Sequence, residues 1–177
     1  MRRLLLLTLV ALVALGAAAA EGPAPDPRAV VDRYQSAIAA SDWDAMAALL
    51  APDAHYEDRT MAHFDRPAVD LHGPEAIVGF WRASAEQAGS GAIRYEVRRA
   101  FVAGPVVVLE QRALVENDGA AWDMPGVTFT GEVELVSLFE VRDGRIGWHM
   151  DAADYAASEA QVASLRRAFE AGRDQPQ

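Results

Sequence analysis

Apolar positions along this chain follow two periods. Between residues 27 and 88 they recur every three or four residues, and from residue 92 to 151 they alternate. The first spacing belongs to helices with one buried face, the second to strands with one buried face. Val30, Tyr34 and Ile38 predict a helix, with Asp26 as its cap and Pro27 at its first position. Met46, Leu49 and Leu50 predict a second, capped by Ser41, carrying Asp44 in its first turn and stopped by Pro52. The segment AHYED, residues 54–58, follows as a short strand with Tyr56 and Asp58 on one face. Residues 59–72 are polar and predict a loop. Gly73-Pro74-Glu75 opens a third helix whose apolar side is Ile77, Phe80 and Trp81, and Gly89 ends it.

The alternating half divides at its turn residues. Ile93, Tyr95 and Val97 alternate with Arg94, Glu96 and Arg98, and Phe101 follows. Gly104-Pro105 turns the chain into VVVLEQRALVE, which ends at Asn117-Asp118-Gly119. A third long strand runs from Val127 to Val141, with almost all of its odd positions apolar. Asp143-Gly144 is a two-residue hairpin signal, and residues 146–151 return as the last strand. Ser158, with Gln161 three residues later, predicts the cap of a final helix bearing Val162, Leu165 and Phe169. Helices followed by a meander of antiparallel strands predict an α+β layer, helices on one face of a curved sheet.

The first twenty residues stand apart. Arg2-Arg3, an apolar run from Leu4 to Leu15 and Ala18-Ala19-Ala20 form the pattern of a cleaved secretory signal peptide. Residues 21–27 then read as a flexible leader and 28–172 as one domain, secreted or periplasmic, with no membrane attachment after cleavage. Cleavage would leave 14 arginines against 26 acids, a surface that repels nucleic acid and anionic lipid. There is no cysteine, so neither a disulfide framework nor a thiol nucleophile is available. No phosphate loop or nucleophile elbow is present, and no cofactor is expected.

Candidate chemistry rests on a few side chains. His149 and Asp151 share one face of the last strand, an imidazole near a carboxylate suited to acid/base work. Hydrophobicity alone would turn Trp148 and Met150 inward instead. Glu110 and Arg112 share a face of their strand, as a pocket ion pair or as a surface pair. His55, His63 and His72 lie near Asp53, Asp65 and Asp70, but their spacings follow no ligand rule, and no metal is assigned. Trp122 and the 59–72 loop are placed to shape a pocket mouth.

The helix-helix-strand opening over Ala29–Asp58 resembles the first third of the NTF2-like superfamily, with its SnoaL-like polyketide cyclases, ketosteroid isomerases and limonene-epoxide hydrolases. That resemblance implies a cone: a strongly curved antiparallel sheet with helices on one face, closed round an apolar interior. VVDRY is similar to the isomerase helix that supplies an oxyanion-hole tyrosine, which implies that role for Tyr34. YED is similar to the segment ending on the isomerase base, which implies Asp58. Where that family carries an acid on the third long strand, this chain has Ser137. Tyr56-Glu57-Asp58 resembles the epoxide hydrolases' water-holding motif, Gln111-Arg112-Ala113-Leu114 keeps their arginine and loses their aspartate, and Asp151 matches their final-strand acid. The resemblance thus implies proton-transfer chemistry without a cofactor on a small apolar oxygenated molecule. Asp58, Asp151, Tyr34 and His149 would be catalytic, and Tyr56, Ser137, Arg112, Trp81 and Phe80 binding. It also implies a homodimer through the outer sheet face, with Trp148, Met150, Val136 and Leu138 as the apolar area. The alternative is a periplasmic binding or assembly module whose pocket only holds a ligand.

Overall fold

The computed structural model describes residues 25–64, 67–88 and 93–173. The signal-peptide reading of residues 1–20 lies outside them, as do Asp65 and Gly89. The elements run α1 (Pro27–Ala39), α2 (Trp43–Ala48), β1 (Leu50–Asp58), β2 (Val69–His72), α3 (Pro74–Ala88), β3 (Ile93–Ala103), β4 (Val106–Asp118), β5 (Thr128–Arg142), β6 (Arg145–Ala153) and α4 (Tyr155–Arg173). Single 3-10 helices lie at Arg59–Phe64 and Gly119–Trp122. Among the described helices none is long and apolar enough to cross a membrane.

The strands form one six-stranded sheet in the order β2-β1-β6-β5-β4-β3. The meander prediction holds for β3 to β6, all antiparallel neighbours. β1 does not extend it in sequence order. It inserts beside β6 as a parallel neighbour and carries β2 on its far side, antiparallel. Register shifts between Val97 and Arg99 in β3, and between Glu140 and Val141 in β5, bend the sheet. The first also carries the strand's faces past each other, which leaves Phe101 outward and 60% exposed.

Helices α1 and α3 fill the concave side. Val30, Val31, Tyr34 and Ile38 from α1 meet Ile77 from α3 and Val107, Leu109, Phe139 and Ile146 from the sheet. Full burial of one such side chain contributes about 1.5–3 kcal/mol, more than a typical net hydrogen bond. Helix α4 covers the other end over a smaller cluster of Met124, Phe129 and Val162.

Several boundaries differ from the pattern's prediction. Helix α2 has only six residues and is capped by Asp42, whose carboxylate accepts from the Ala45 N–H at 3.0 Å. Ser41 has φ +53° and makes the turn between the helices. Leu50 already belongs to β1, and Pro52 lies inside that strand where its register with β6 slips, so no ladder N–H is lost there. The 59–72 segment is not simply a loop: it holds a 3-10 helix and the edge strand β2. Helix α4 begins at Tyr155, three residues before Ser158, with Asp154 accepting from the Ala157 N–H at 3.0 Å. Gln161 instead accepts from the Glu132 N–H of β5. The Asp143-Gly144 hairpin forms as predicted, with φ of +51° and +73° joining the Arg142–Arg145 pair.

Candidate active site

Two rows of register partners cross the concave face. One is Leu109, Ser137, Asp151 and Asp58; the other is Val107, Phe139, His149 and Tyr56. The period of two therefore turns His149 and Asp151 inward and leaves Trp148 and Met150 on the outer face. Hydrophobicity pointed the other way. What reverses it is the parallel pairing with β1, which seats Tyr56 and Asp58 on the same inner rows.

Asp151 is the hub. Its Oδ1 accepts from the Ser137 hydroxyl at 2.5 Å and contacts His149 Nε2 at 3.1 Å, and its Oδ2 accepts from the Tyr56 hydroxyl at 3.2 Å. Behind Ser137 stands a directional chain. Gln35 Nε2 donates to Gln111 Oε1 at 3.1 Å, and Gln111 Nε2 donates to Ser137 Oγ at 2.9 Å. With its lone pair so engaged, Ser137 has its own proton to give to Asp151. Burial is the largest influence on the Asp151 carboxyl and pushes its pKa up. The charge of His149, with the hydrogen bonds from His149, Ser137 and Tyr56, outweighs it, so the net shift is downward.

The His149 ring is enclosed by aromatics. Phe139 stacks on it at 4.3 Å between centroids, Tyr56 lies at 4.7 Å and Tyr34 meets it edge-on at 5.6 Å. Its Nδ1 has no hydrogen-bond partner among the described residues, and neither has the Tyr34 hydroxyl. Tyr34 is thus a core residue beneath the histidine. Burial, with lesser influences from Tyr95 and Asp151, raises its pKa and keeps its proton on.

A cavity of about 190 Å³ opens over Asp151. Tyr56, Phe80, Trp81, Tyr95, Leu135 and Tyr155 are among its lining residues. The predicted binding roles of Phe80, Trp81 and Tyr56 therefore coincide with the cavity wall, while Ile77 and Phe139 lie behind it in the core. Burial raises the pKa of Tyr56, Tyr95 and Tyr155 alike, helped by Asp151 at the first two and by Asp58 at the third. These phenols stay protonated as donors. A larger cleft, about 440 Å³, runs beside α4 and includes Trp122 and Phe64, with Met61 lining both spaces. The smaller cavity is the one with a buried carboxylate in its wall.

Five of the predicted site residues fall outside the cavity wall: Tyr34, Ser137 and His149 are buried beneath it, and Asp58 and Arg112 are bound elsewhere. Asp58 is fully buried, but Oδ1 accepts from the Thr60 N–H at 2.8 Å, the Thr60 hydroxyl at 2.5 Å and the Met61 N–H at 3.2 Å, and Oδ2 from Tyr155 at 2.7 Å. It caps the 3-10 helix and pins α4. Arg112 points to the outer face, where it binds Glu96 and Glu132 at 2.7 Å each. Glu110 pairs with Arg99 and not with Arg112. The period of two decides this, since Gln111 and Ala113 take the inward positions. Sequence reasoning missed Gln35, Gln111, Tyr95 and Tyr155. Gln111 and Ser137 had a signal: each interrupts an otherwise apolar inward series, Val107-Leu109-Ala113-Val115 and Val133-Leu135-Phe139-Val141.

A curved sheet wrapped by helices round a pocket with a carboxylate on its last strand defines a cone of the NTF2-like superfamily. The sequence profile of the SnoaL-like domain matches residues 31–149, and the chain belongs to that family. Solved structures agree on the fold. A candidate SnoaL-like polyketide cyclase from Shewanella putrefaciens CN-32 superposes with TM-score 0.66 at 16% identity, over 80% of this chain and 98% of that one. Wild-type IdmH, a candidate polyketide cyclase from Streptomyces antibioticus, gives 0.64 at 21%, over 78% and 99%. An LEH-like epoxide hydrolase of M. tuberculosis gives 0.62 at 17%, over 85% and 99%. No curated protein sequence matches the chain significantly.

Proposed function

We propose that this SnoaL-like domain is a cofactor-independent acid/base enzyme acting on a small apolar oxygenated molecule, a carbonyl or an epoxide. The observation that carries the reading is Asp151: a buried, ionised carboxylate in the wall of an otherwise mostly apolar cavity. Asp151 Oδ2, which among the described residues meets the Tyr56 hydroxyl alone, takes the proton from a substrate carbon or from water. Ser137 and His149 hold Oδ1 and fix the carboxylate's plane. Tyr56, Tyr95 and Tyr155 are protonated phenols on the same wall, suited to donate to the oxygen that gains charge. Tyr56 leaves Asp151 for that oxygen as the carboxylate is neutralised. Asp58 contributes by holding Tyr155 in place.

The test is turnover of a panel of small epoxides and 1,3-dicarbonyl compounds, followed by mass spectrometry. Asp151→Asn keeps the cavity's shape and should cost about 10²-fold or more in turnover, with binding little changed. If no compound is converted, while apolar molecules bind wild type and variant alike, the domain is a ligand-holding module.

The proposal includes a homodimer. Phe101, Val108, Leu138 and Met150 form one apolar row across the outer face, with Val136 beside it 42% exposed. Light scattering at micromolar concentration should give twice the chain mass, and a monomer there would remove this part of the reading.

A further inference from the structure

Away from the cavity, on the outer face at the sheet's edge, β1 and β2 bring three donors together. His55 and His72 are direct register partners, and Asp70 lies two residues before His72 on the same face. Their rings stack at 4.3 Å with an interplanar angle of 12°. Both Nε2 atoms aim at one oxygen, Asp70 Oδ1, from 2.8 Å for His55 and 3.2 Å for His72. The three donor atoms all lie within 4.8 Å of one another. His55 is about one-third exposed and the other two side chains are largely open to water. Among the described residues no other His, Asp or Glu group converges in this way.

We propose that His55, Asp70 and His72 bind a divalent transition-metal ion of the zinc, nickel and copper class. Two imidazoles and one carboxylate are ligands that such ions prefer, whereas calcium and magnesium favour all-oxygen sets. Zinc sits about 2.0–2.2 Å from nitrogen and oxygen ligands, so an ion between these donors needs a small turn of the exposed Asp70 and His72 side chains and no backbone movement. The protein supplies three ligands and water completes the shell. The bound ion would also bridge the edge strand β2 to β1. Sequence spacing hid the site, because His55 and His72 are seventeen residues apart and meet only through strand pairing.

The test is calorimetric titration of the full chain, purified without a polyhistidine tag, with Zn²⁺ and with Ni²⁺. One saturable equivalent per chain is expected. His72→Gln, a change on an exposed side chain, should weaken it about tenfold or more, and His55→Gln should do the same. His63→Gln, which removes a histidine paired with Glu159 far along the chain, should leave the titration unchanged. Trp148 stands in register with His55 on the same face, so Ni²⁺ should quench part of the indole fluorescence, and Trp148→Phe should abolish that part. Absence of saturable binding with metal in large excess overturns the proposal. So does a titration that is the same for wild type and His72→Gln.

Discussion

Asp58 and Asp151 are register partners on adjacent parallel strands, face the same way and are both buried, yet their partners differ in kind. Asp58 is held by donors two and three residues ahead of it, two of them backbone N–H groups, and by Tyr155. Asp151 is held by side chains from β1, β5 and β6, and it lines the cavity. Each carboxylate has one oxygen with a single phenol donor, but only that of Asp151 lies in the cavity wall, where a substrate could reach it. Burial and position at a strand end are shared by both; contact with the cavity is what separates them.

Turnover separates the two carboxylates most sharply. Asp151→Asn should lower it about 10²-fold or more, while Asp58→Asn should have a far smaller effect per folded molecule. The reverse ranking would return the base to Asp58. Stability should rank the pair oppositely. Asp58→Ala removes a cap and leaves the half-buried Tyr155 hydroxyl unpaired, a loss of roughly 1–3 kcal/mol in urea unfolding. A loss below that of an ordinary surface substitution would sink the capping role.

Acid gives the smallest effect. The Asp151 carboxyl has a lower pKa in the fold than in the unfolded chain, so the native state binds fewer protons in the acid range. Its stabilisation is fully present above the unfolded value, about 3.9, and is lost as pH falls through the folded value. Asp70 and Glu96 shift the same way, through their hydrogen bonds to His55 and Arg112, but Asp70 is exposed and Glu96 partly so, and both contribute little. Unfolding free energy should decline less steeply below about pH 4 in Asp151→Asn than in wild type. Equal slopes would mean that the carboxyl is not held down by its partners.

Most of the architecture was legible because period and punctuation act locally. Asp26-Pro27, Gly73-Pro74 and Asp143-Gly144 each mark a boundary the fold uses. The parallel β1–β6 pairing was not legible, since nothing in Tyr56 or Asp151 says that residues 95 positions apart become neighbours. That pairing is what decides the inward direction of His149 and Asp151. The family likeness supplied the direction but also favoured Asp58 and Arg112, whose local bonding differs here. The 59–72 segment hid β2 because its alternation, Val69-Asp70-Leu71-His72, is only four residues long and follows a polar stretch. Gln111 and Ser137 were readable as polar breaks in an apolar face, but Gln35, which completes their chain, sits among helical residues where a glutamine is unremarked.

The position of β1 beside β6 has a consequence in time. A ribosome delivers β1 well before β6, so until residues 145–153 emerge β1 lacks the neighbour that separates it from β5. The concave rows cannot close before then, because each takes members from both strands. Such long-range closure slows folding and leaves the first helices and β1 waiting with an uncovered apolar face. The nascent chain thus has no site until β6 is made, when Asp151 meets Tyr56.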